Sequence, residues 1–260
     1  MSGLKRLEHH YHKFKKELRI ILNKYPYRVQ CNVCGWKGRI FDSDSWHLYI
    51  ICPRCRSQVR HRLAFAALNL IPNLKTEKII QGKRVLHFAP ERVISQYIIP
   101  GAANYVTADV FRNDVDMRLD ISNMNTIKDK SFDLVIAFDI LEHVADDSRA
   151  LQEIHRILSE YGWVILTIPQ KDDLLTTYQD QSVTTPEGRE KAFGQRDHLR
   201  IYGNDFGHLI ETHGFNITTI DERDFNPIMV KKNVLFPPVL SNHPLANNHR
   251  KVFFGQKVLE

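Results

Sequence analysis

Cysteine is scarce in this sequence, long apolar runs are missing, and glycine is absent from the one turn where a dinucleotide-binding fold would need it. The 260 residues hold four cysteines, Cys31, Cys34, Cys52 and Cys55, so any thiol chemistry is confined to one short segment. No apolar run approaches the ~20 residues that a bilayer span needs, and the first residues lack the apolar core of a secretory signal. A cytoplasmic protein without a transmembrane segment is therefore expected. What is present is ordinary globular composition: 43% hydrophobic and 25% charged residues argue for a packed core. The length suits one large domain, or an α/β domain with a small appendage. A formal net charge of +6 admits an acidic partner, whether nucleic acid, phosphorylated substrate or anionic membrane. Much of that excess lies before residue 63, so it is a regional feature.

The cysteines form two CxxC knuckles, Cys31-Asn-Val-Cys34-Gly35 and Cys52-Pro-Arg-Cys55. Four thiolates at such spacing can close a tetrahedron around Zn²⁺ and leave no position open for a catalytic water, so a structural metal is expected. A lone knuckle would also fit a redox pair, and two disulfides would fit a secreted chain; both knuckles in a reducing cytosol favour zinc. Arg56, Arg60, His61 and Arg62 then lead into an apolar helix over residues 63–71. They read either as an anion-binding patch beside a ribbon or as the solvated first turns of a linker helix. Pro72 and the polar residues 73–78 mark a boundary. Ahead of the ribbon, Leu4, Leu7, Tyr11, Phe14, Leu18, Ile21 and Tyr25 lay one apolar stripe along a helix whose other face is basic. The stripe packs on the body, or residues 4–25 meet a membrane surface or a partner. Three units follow: an amphipathic helix over 1–27, a zinc ribbon with linker helix over 28–72, and an α/β domain over 78–260.

The α/β domain is organised around residues 132–169. Leu134, Val135, Ile136 and Ala137 make a short continuous apolar run, as in a parallel strand buried on both faces. Asp139, Glu142 and His143 crowd the point where that strand ends, and ligands of open α/β sheets bind at that edge. Leu151, Ile154, Ile157 and Leu158 recur at helical spacing, with Tyr161-Gly162 as the predicted stop before another buried strand. Upstream, Arg84-Val-Leu-His-Phe-Ala-Pro-Glu91 reads as strand, tight turn and helix, without the GxGxxG that lets backbone approach a pyrophosphate. That argues against NAD or FAD, whereas a nucleoside cofactor without phosphates, such as S-adenosylmethionine, asks less of the turn. Asp109 ends the next strand, about 20 residues on, where a carboxylate typically accepts ribose hydroxyls. Asp116 to Asp120 and Ile121 supply a further acidic strand edge.

Residues 170–200 are polar and irregular, too long for an ordinary connection, and read as a lid or substrate-binding insertion. The run Phe193-Gly-Gln-Arg-Asp-His-Leu-Arg-Ile-Tyr-Gly203 closes it with titratable groups, and the Pro-rich residues 226–248 are expected to form a loop that makes another pocket wall.

The combination of CPRCRSQVRHR, VLHFAPE, FDLVIAFDILEHVADDSRALQEIHRIL and FGQRDHLRIYG resembles the class I S-adenosylmethionine-dependent methyltransferases, and more narrowly a type 11-like bacterial group with an N-terminal four-cysteine zinc ribbon. The resemblance spans residues 31–258 in outline. It implies a Rossmann-like seven-stranded sheet with the last strand antiparallel, helices on both faces and the cofactor over the carboxyl edge. It places Phe88, Ala89, Pro90 and Glu91 at the family's cofactor turn, Asp109 at the ribose, Asp120 with Ile121 at the adenine, and Asp139 beneath the sulfonium. Methyl transfer is an in-line displacement governed by positioning, and an oxygen or ring-nitrogen acceptor also calls for a base near neutrality. His198 and His143 are the candidates, and Arg196, Arg200 and Tyr202 are placed to grip an anionic or sugar-like acceptor. The expected activity is O-methylation of a small-molecule or carbohydrate-like acceptor. RNA or protein methylation through the ribbon, and a non-catalytic cofactor-binding scaffold, are the alternatives.

Overall fold

The computed structural model describes residues 29–258; the expected basic helix over residues 4–25 lies outside them. Seven strands form one sheet: β1 (Arg84–Phe88), β2 (Asn104–Asp109), β3 (Met117–Arg118), β4 (Phe132–Phe138), β5 (Leu158–Thr167), β6 (Phe215–Ile220) and β7 (Val252–Lys257). Their spatial order is β6-β7-β5-β4-β1-β2-β3. β7 runs antiparallel to both its neighbours, while β1 to β5 are mutually parallel. This is the seven-stranded arrangement with an antiparallel last strand that the motifs imply. The central strands read apolar because both their faces are covered: Leu134, Val135, Ile136 and Ala137 of β4 are all buried.

Helices cover both faces. On one, α1 (Val59–Leu70) and α2 (Arg92–Tyr97) share a core cluster with Val85, Leu134, Ile136 and Phe254. On the other, α3 (Asp147–Ile157) packs Leu151 and Ile154 with Leu86, Val135 and Leu166. Asp146 begins α3 by accepting the Arg149 backbone N–H. The helix does not run to Tyr161 as the spacing predicts. It ends at Ile157, because the fully buried Leu158 is recruited into β5 and pairs with Phe132, and ladder pairing overrides helical periodicity there. Tyr161-Gly162 instead lies within β5, in the stretch where its register against β4 shifts.

Two expected loops carry helices. In the insertion, α4 (Pro186–Phe193) starts at Thr185, whose hydroxyl accepts the Gly188 N–H, and stops at Gly194, with φ of 97°. After α5 (Phe206–Glu211) and β6, the Pro-rich segment opens with α6 (Pro227–Asn233), capped by Asn226. Pro227 reads as a breaker, yet at the first helical position its missing N–H costs nothing.

The cysteine segment pairs Val29–Gln30 with Lys37–Gly38 in a two-residue antiparallel ladder. Its core residues Cys31, Val33, Phe41 and Ile51 belong to the same apolar cluster as α1 and the sheet. Arg62 of α1, 0% exposed, binds this segment to the body: Nη2 donates to the Ile50 and Val234 carbonyls at 2.8 Å each, and Nη1 to the Ser57 carbonyl at 2.6 Å. Among the described residues no helix is long and apolar enough to cross a membrane.

Candidate active site

Two left-handed residues end neighbouring strands at the carboxyl edge. Ala89 after β1 has φ of 44°, and Asp139 after β4 has φ of 50°. Neither is glycine, so each conformation carries roughly 1–2 kcal/mol of strain that its surroundings must hold. The Ala89 N–H donates to the Ala108 carbonyl and that of Asp139 to the Thr167 carbonyl, both at 2.8 Å. The glycine-free turn is thus feasible because β2 and β5 lock these two residues in place.

Glu91, the last residue of the turn, faces α1. Its Oε1 accepts from Arg60 Nη2 at 2.7 Å and its Oε2 lies 2.7 Å from His61 Nε2. The Gln58 backbone N–H donates to His61 Nδ1 at 3.0 Å, which places the imidazole proton on Nε2, where it donates to Glu91. Burial keeps His61 neutral by lowering its pKa. Burial raises the Glu91 carboxyl, but Arg60 and His61 reverse that and hold it at about 2. Arg60 Nη1 also lies 3.4 Å from Asp139 Oδ2, and Arg250 Nη2 donates to Asp139 Oδ1, which accepts the Thr167 hydroxyl at 2.8 Å as well. Burial opposes the Asp139 charge, and the two arginines overcome this, so the carboxyl stays ionised well below its usual range.

A cavity of about 560 Å³ opens beside Asp139. Asp44 to His47 and Gln58 to Arg60 of the cysteine segment form one wall, Phe193 to Gln195 with His198 another, and Pro237, Leu245, Asn247 and Arg250 a third. Gly194 allows close approach here: a Cβ on it would meet the Trp46 ring at 2.8 Å. On the floor lie Glu142, His143 and His198. Glu142 is 1% exposed, and burial followed by the charge of Asp139 pushes its carboxyl well above the ordinary value. His198, 3% exposed, donates through Nδ1 to the Phe193 carbonyl at 3.1 Å, while its buried Nε2 has no hydrogen-bond partner among the described residues. Burial, then His143 beside it, lowers its pKa.

The four cysteines converge. Cys31 and Cys55 Sγ are 3.7 Å apart, as are Cys34 and Cys52 Sγ, and all four sulfurs lie within 4.8 Å of one another. Those separations are too long for disulfides and match the edge of about 3.8 Å of a tetrahedron with metal–sulfur bonds of about 2.3 Å. The knuckles repeat one geometry: Gly35 and Arg56, each just past the second cysteine, have φ of 73° and 63°, and their N–H groups donate to the Cys31 and Cys52 carbonyls. Burial pushes the nearby Arg62 down to about 10, with the sulfurs acting in the opposite sense.

Of the sequence-predicted residues, Asp139, His143 and His198 share the cavity. Phe88, Ala89, Pro90, Glu91, Asp109, Asp120 and Ile121 follow outward along the β1, β2 and β3 ends and do not line it. Asp109 Oδ1 accepts the N–H groups of Phe111 and Arg112, and Asp120 Oδ1 accepts from Ser122. Arg196 is exposed and pairs with Glu187 and Glu190. Arg200 donates to the carbonyls of Leu141, Val144 and Ala145, and the Tyr202 hydroxyl donates to Asp147 at 2.7 Å; neither lines the cavity. Arg250 and Trp46 are cavity residues that sequence reasoning passed over, and Glu142 was placed at the strand end without a role of its own. The only signal for Glu142 was its place in the acidic strand-end loop, and Arg250 had none.

Residues 83–166 match the family described as "Methyltransferase domain". No curated protein matches the chain. Among solved structures, a Haloferax volcanii methyltransferase in complex with the methyltransferase activator Trm112 is 14% identical with a TM-score of 0.48, covering 76% of this chain and 90% of its own. A Thermotoga maritima S-adenosylmethionine-dependent methyltransferase is 17% identical with a TM-score of 0.47, covering 76% and 92%. Burkholderia thailandensis 1,6-didemethyltoxoflavin-N1-methyltransferase, with bound 1,6-didemethyltoxoflavin and S-adenosylhomocysteine, is 13% identical with a TM-score of 0.45, covering 69% and 72%. The match to a methyltransferase domain is confined to residues 83–166, which run from just before β1 through most of β5.

Proposed function

We propose that the chain methylates an oxygen of a small-molecule or carbohydrate-like acceptor held in the cavity beside Asp139. The observation that carries this reading is the cavity itself: about 560 Å³, bounded by three segments and floored by His198, it has the size of a small-ligand site. S-adenosylmethionine supplies an electrophilic methyl group on a sulfonium. Phe88, Ala89, Pro90 and Glu91 would form its turn, Asp109 would take the ribose, Asp120 and Ile121 the adenine, and Asp139 would stand at the methyl-donor end. His198 presents the Nε2 lone pair to the acceptor, with its ring fixed by the Phe193 carbonyl, and His143 stands beside it with ring centroids 4.7 Å apart. Arg200 and Tyr202 position the 141–147 loop from behind, and Arg196 holds the insertion helix.

The four cysteines hold a structural Zn²⁺, consistent with their tetrahedral spacing, and reduced thiolates suit a cytoplasmic location. Residues 44–47 and 58–60 of the cysteine segment and the start of α1 act as a wall of the acceptor site. A macromolecular acceptor presented by the arginines after the second knuckle has less support, since Arg60 and Arg62 are turned into buried networks. Equilibrium binding of labelled S-adenosylmethionine tests the reading: the wild type binds, and Asp109→Ala loses at least tenfold in affinity. Equal binding by both proteins refutes the assignment. Turnover on a panel of hydroxylated small molecules separates an enzyme from a scaffold, and His198→Ala abolishes it while leaving cofactor binding intact.

A further inference from the structure

On the reading that the cavity takes the methyl acceptor, we propose that Glu142, His143 and His198 form a divalent-cation site on its floor, so that the His198 Nε2 lone pair acts on the acceptor through the bound cation rather than directly. One carboxylate oxygen or ring nitrogen from each of the three lies within 4.8 Å of the others, and all three residues line the cavity. Glu142 Oε2 and His198 Nε2 are buried without a hydrogen-bond partner among the described residues. A base alone would account for the free nitrogen of His198 and leave the buried oxygen of Glu142 unexplained. A cation accounts for both.

The histidines are prepared as ligands. The Nδ1–H of His198 is tied to the Phe193 carbonyl at 3.1 Å, so Nε2 carries the lone pair. His143 Nδ1 lies 3.2 Å from the Asp197 carboxylate, an arrangement in which it donates to Asp197 and leaves its own Nε2, 4.0 Å from Glu142 Oε1, as the lone-pair atom. A carbonyl or carboxylate behind each imidazole is the arrangement that orients histidine toward a metal. Cation–ligand distances of about 2.1 Å bring the three donors to roughly 3–4 Å of one another, and His143, the exposed member of the group, supplies that contraction by rotating. Two imidazoles and one carboxylate suit Mn²⁺, Fe²⁺, Co²⁺ or Zn²⁺ and leave coordination positions facing the cavity. An acceptor carrying two adjacent oxygens, such as a vicinal diol or a hydroxy acid, would fill them.

The test is a Mn²⁺ titration of the full-length, zinc-loaded protein, followed by the electron paramagnetic resonance signal of free Mn²⁺. Manganese is chosen because oxygen and nitrogen ligands suit it and the four thiolates do not. The wild type binds one Mn²⁺ per chain, His198→Ala and Glu142→Gln each lose that binding, and Asp197→Asn weakens it about 10- to 100-fold. Zinc content and S-adenosylmethionine affinity are measured on the same preparations, so that a variant with disturbed folding is recognised and the isosteric Glu142→Gln decides. No Mn²⁺ on the wild type, or wild-type Mn²⁺ affinity in either Glu142→Gln or His198→Ala, overturns the proposal. Cofactor binding without Mn²⁺ binding sinks the cation site alone, whereas failure to bind S-adenosylmethionine sinks the methyltransferase reading of the cavity.

Discussion

Arg60 and Arg62 stand two residues apart on α1, about 200° around the helix, and meet opposite surroundings. Arg60 faces carboxylates, Glu91 at 2.7 Å and Asp139 at 3.4 Å, at the carboxyl edge of the sheet. Arg62 faces carbonyls, those of Ile50 and Ser57 in the cysteine segment and that of Val234 at the end of α6. One turn of helix therefore fastens the proposed zinc ribbon to the proposed cofactor turn. The difference between the two arginines shows how the coupling works: Arg62 fixes where α1 starts, and Arg60 passes that position on to Glu91 and Asp139. The proposed ribbon then contributes to the proposed methyl-transfer site through the geometry of a helix as well as through its own wall residues.

Metal removal strikes that comparison hardest. Structural Zn²⁺ contributes on the order of 10–16 kcal/mol in zinc-finger peptides, so chelation should unfold the cysteine segment and free the start of α1. Calorimetry should show a large fall in melting temperature, with S-adenosylmethionine affinity falling alongside. Unchanged cofactor affinity after zinc loss would mean that Arg60 holds Glu91 without help from the ribbon. Next in size is Asp139→Ala, which leaves Arg60 and Arg250 without their shared buried carboxylate and should cost about 3–5 kcal/mol in denaturant unfolding. Arg62→Met should cost about 3 kcal/mol, since three carbonyls lose their donor. Its signature is weaker zinc retention, whereas Asp139→Ala should retain zinc and lose cofactor.

Glu91 sharpens the comparison through pH. Its folded carboxyl is held at about 2 against an ordinary 4.5. A depressed folded value contributes stability that is fully present above the unfolded value and lost as the pH falls through the folded one, so the window is between about 4.5 and 2. Glu91→Gln should cost about 2 kcal/mol at neutral pH and flatten the acid-unfolding curve across that window. An unaltered curve would show that Arg60 and His61 do not favour the ionised form.

The sheet and its acidic edge were legible because both rest on local rules. A strand buried on two faces must be apolar, as Leu134 to Ala137 are, and the chain turns polar where the strand ends at Asp139. The two knuckles were legible because the four converging cysteines stand at one repeated spacing, Cys-x-x-Cys, in the sequence. Helix boundaries were less so: Leu158 satisfies the helical stripe and the β5 ladder equally well, and only the pairing with Phe132 decides. The arginines were the least legible. A cluster of Arg56, Arg60, His61 and Arg62 reads as solvated charge, because nothing local announces that Glu91 lies 31 residues away from Arg60 in sequence at 2.7 Å in space. Arg250 meets Asp139 across 111 residues, a contact no short pattern encodes. Three cavity walls come from segments that only the fold assembles.

The smallest effect separates the surface member of that cluster from the two buried ones. Arg56 is exposed, and its guanidinium meets Asp42 at 2.7 Å in solvent, where an ion pair contributes little. Its backbone N–H, not its side chain, serves the second knuckle. Arg56→Ala should therefore stay within about 0.5 kcal/mol of wild type in denaturant unfolding and leave zinc content and cofactor affinity unchanged. The same variant probes the macromolecular reading, because Arg60 and Arg62 are committed to Glu91, Asp139 and the ribbon carbonyls, which leaves Arg56 as the member of this cluster free to meet a phosphate. If the ribbon presents RNA, Arg56→Ala should weaken RNA binding evenly across sequences and reduce the salt slope by about 1. An unchanged slope with unchanged stability would leave the cysteine segment with the role its position suggests, a wall and a brace for a small-molecule site.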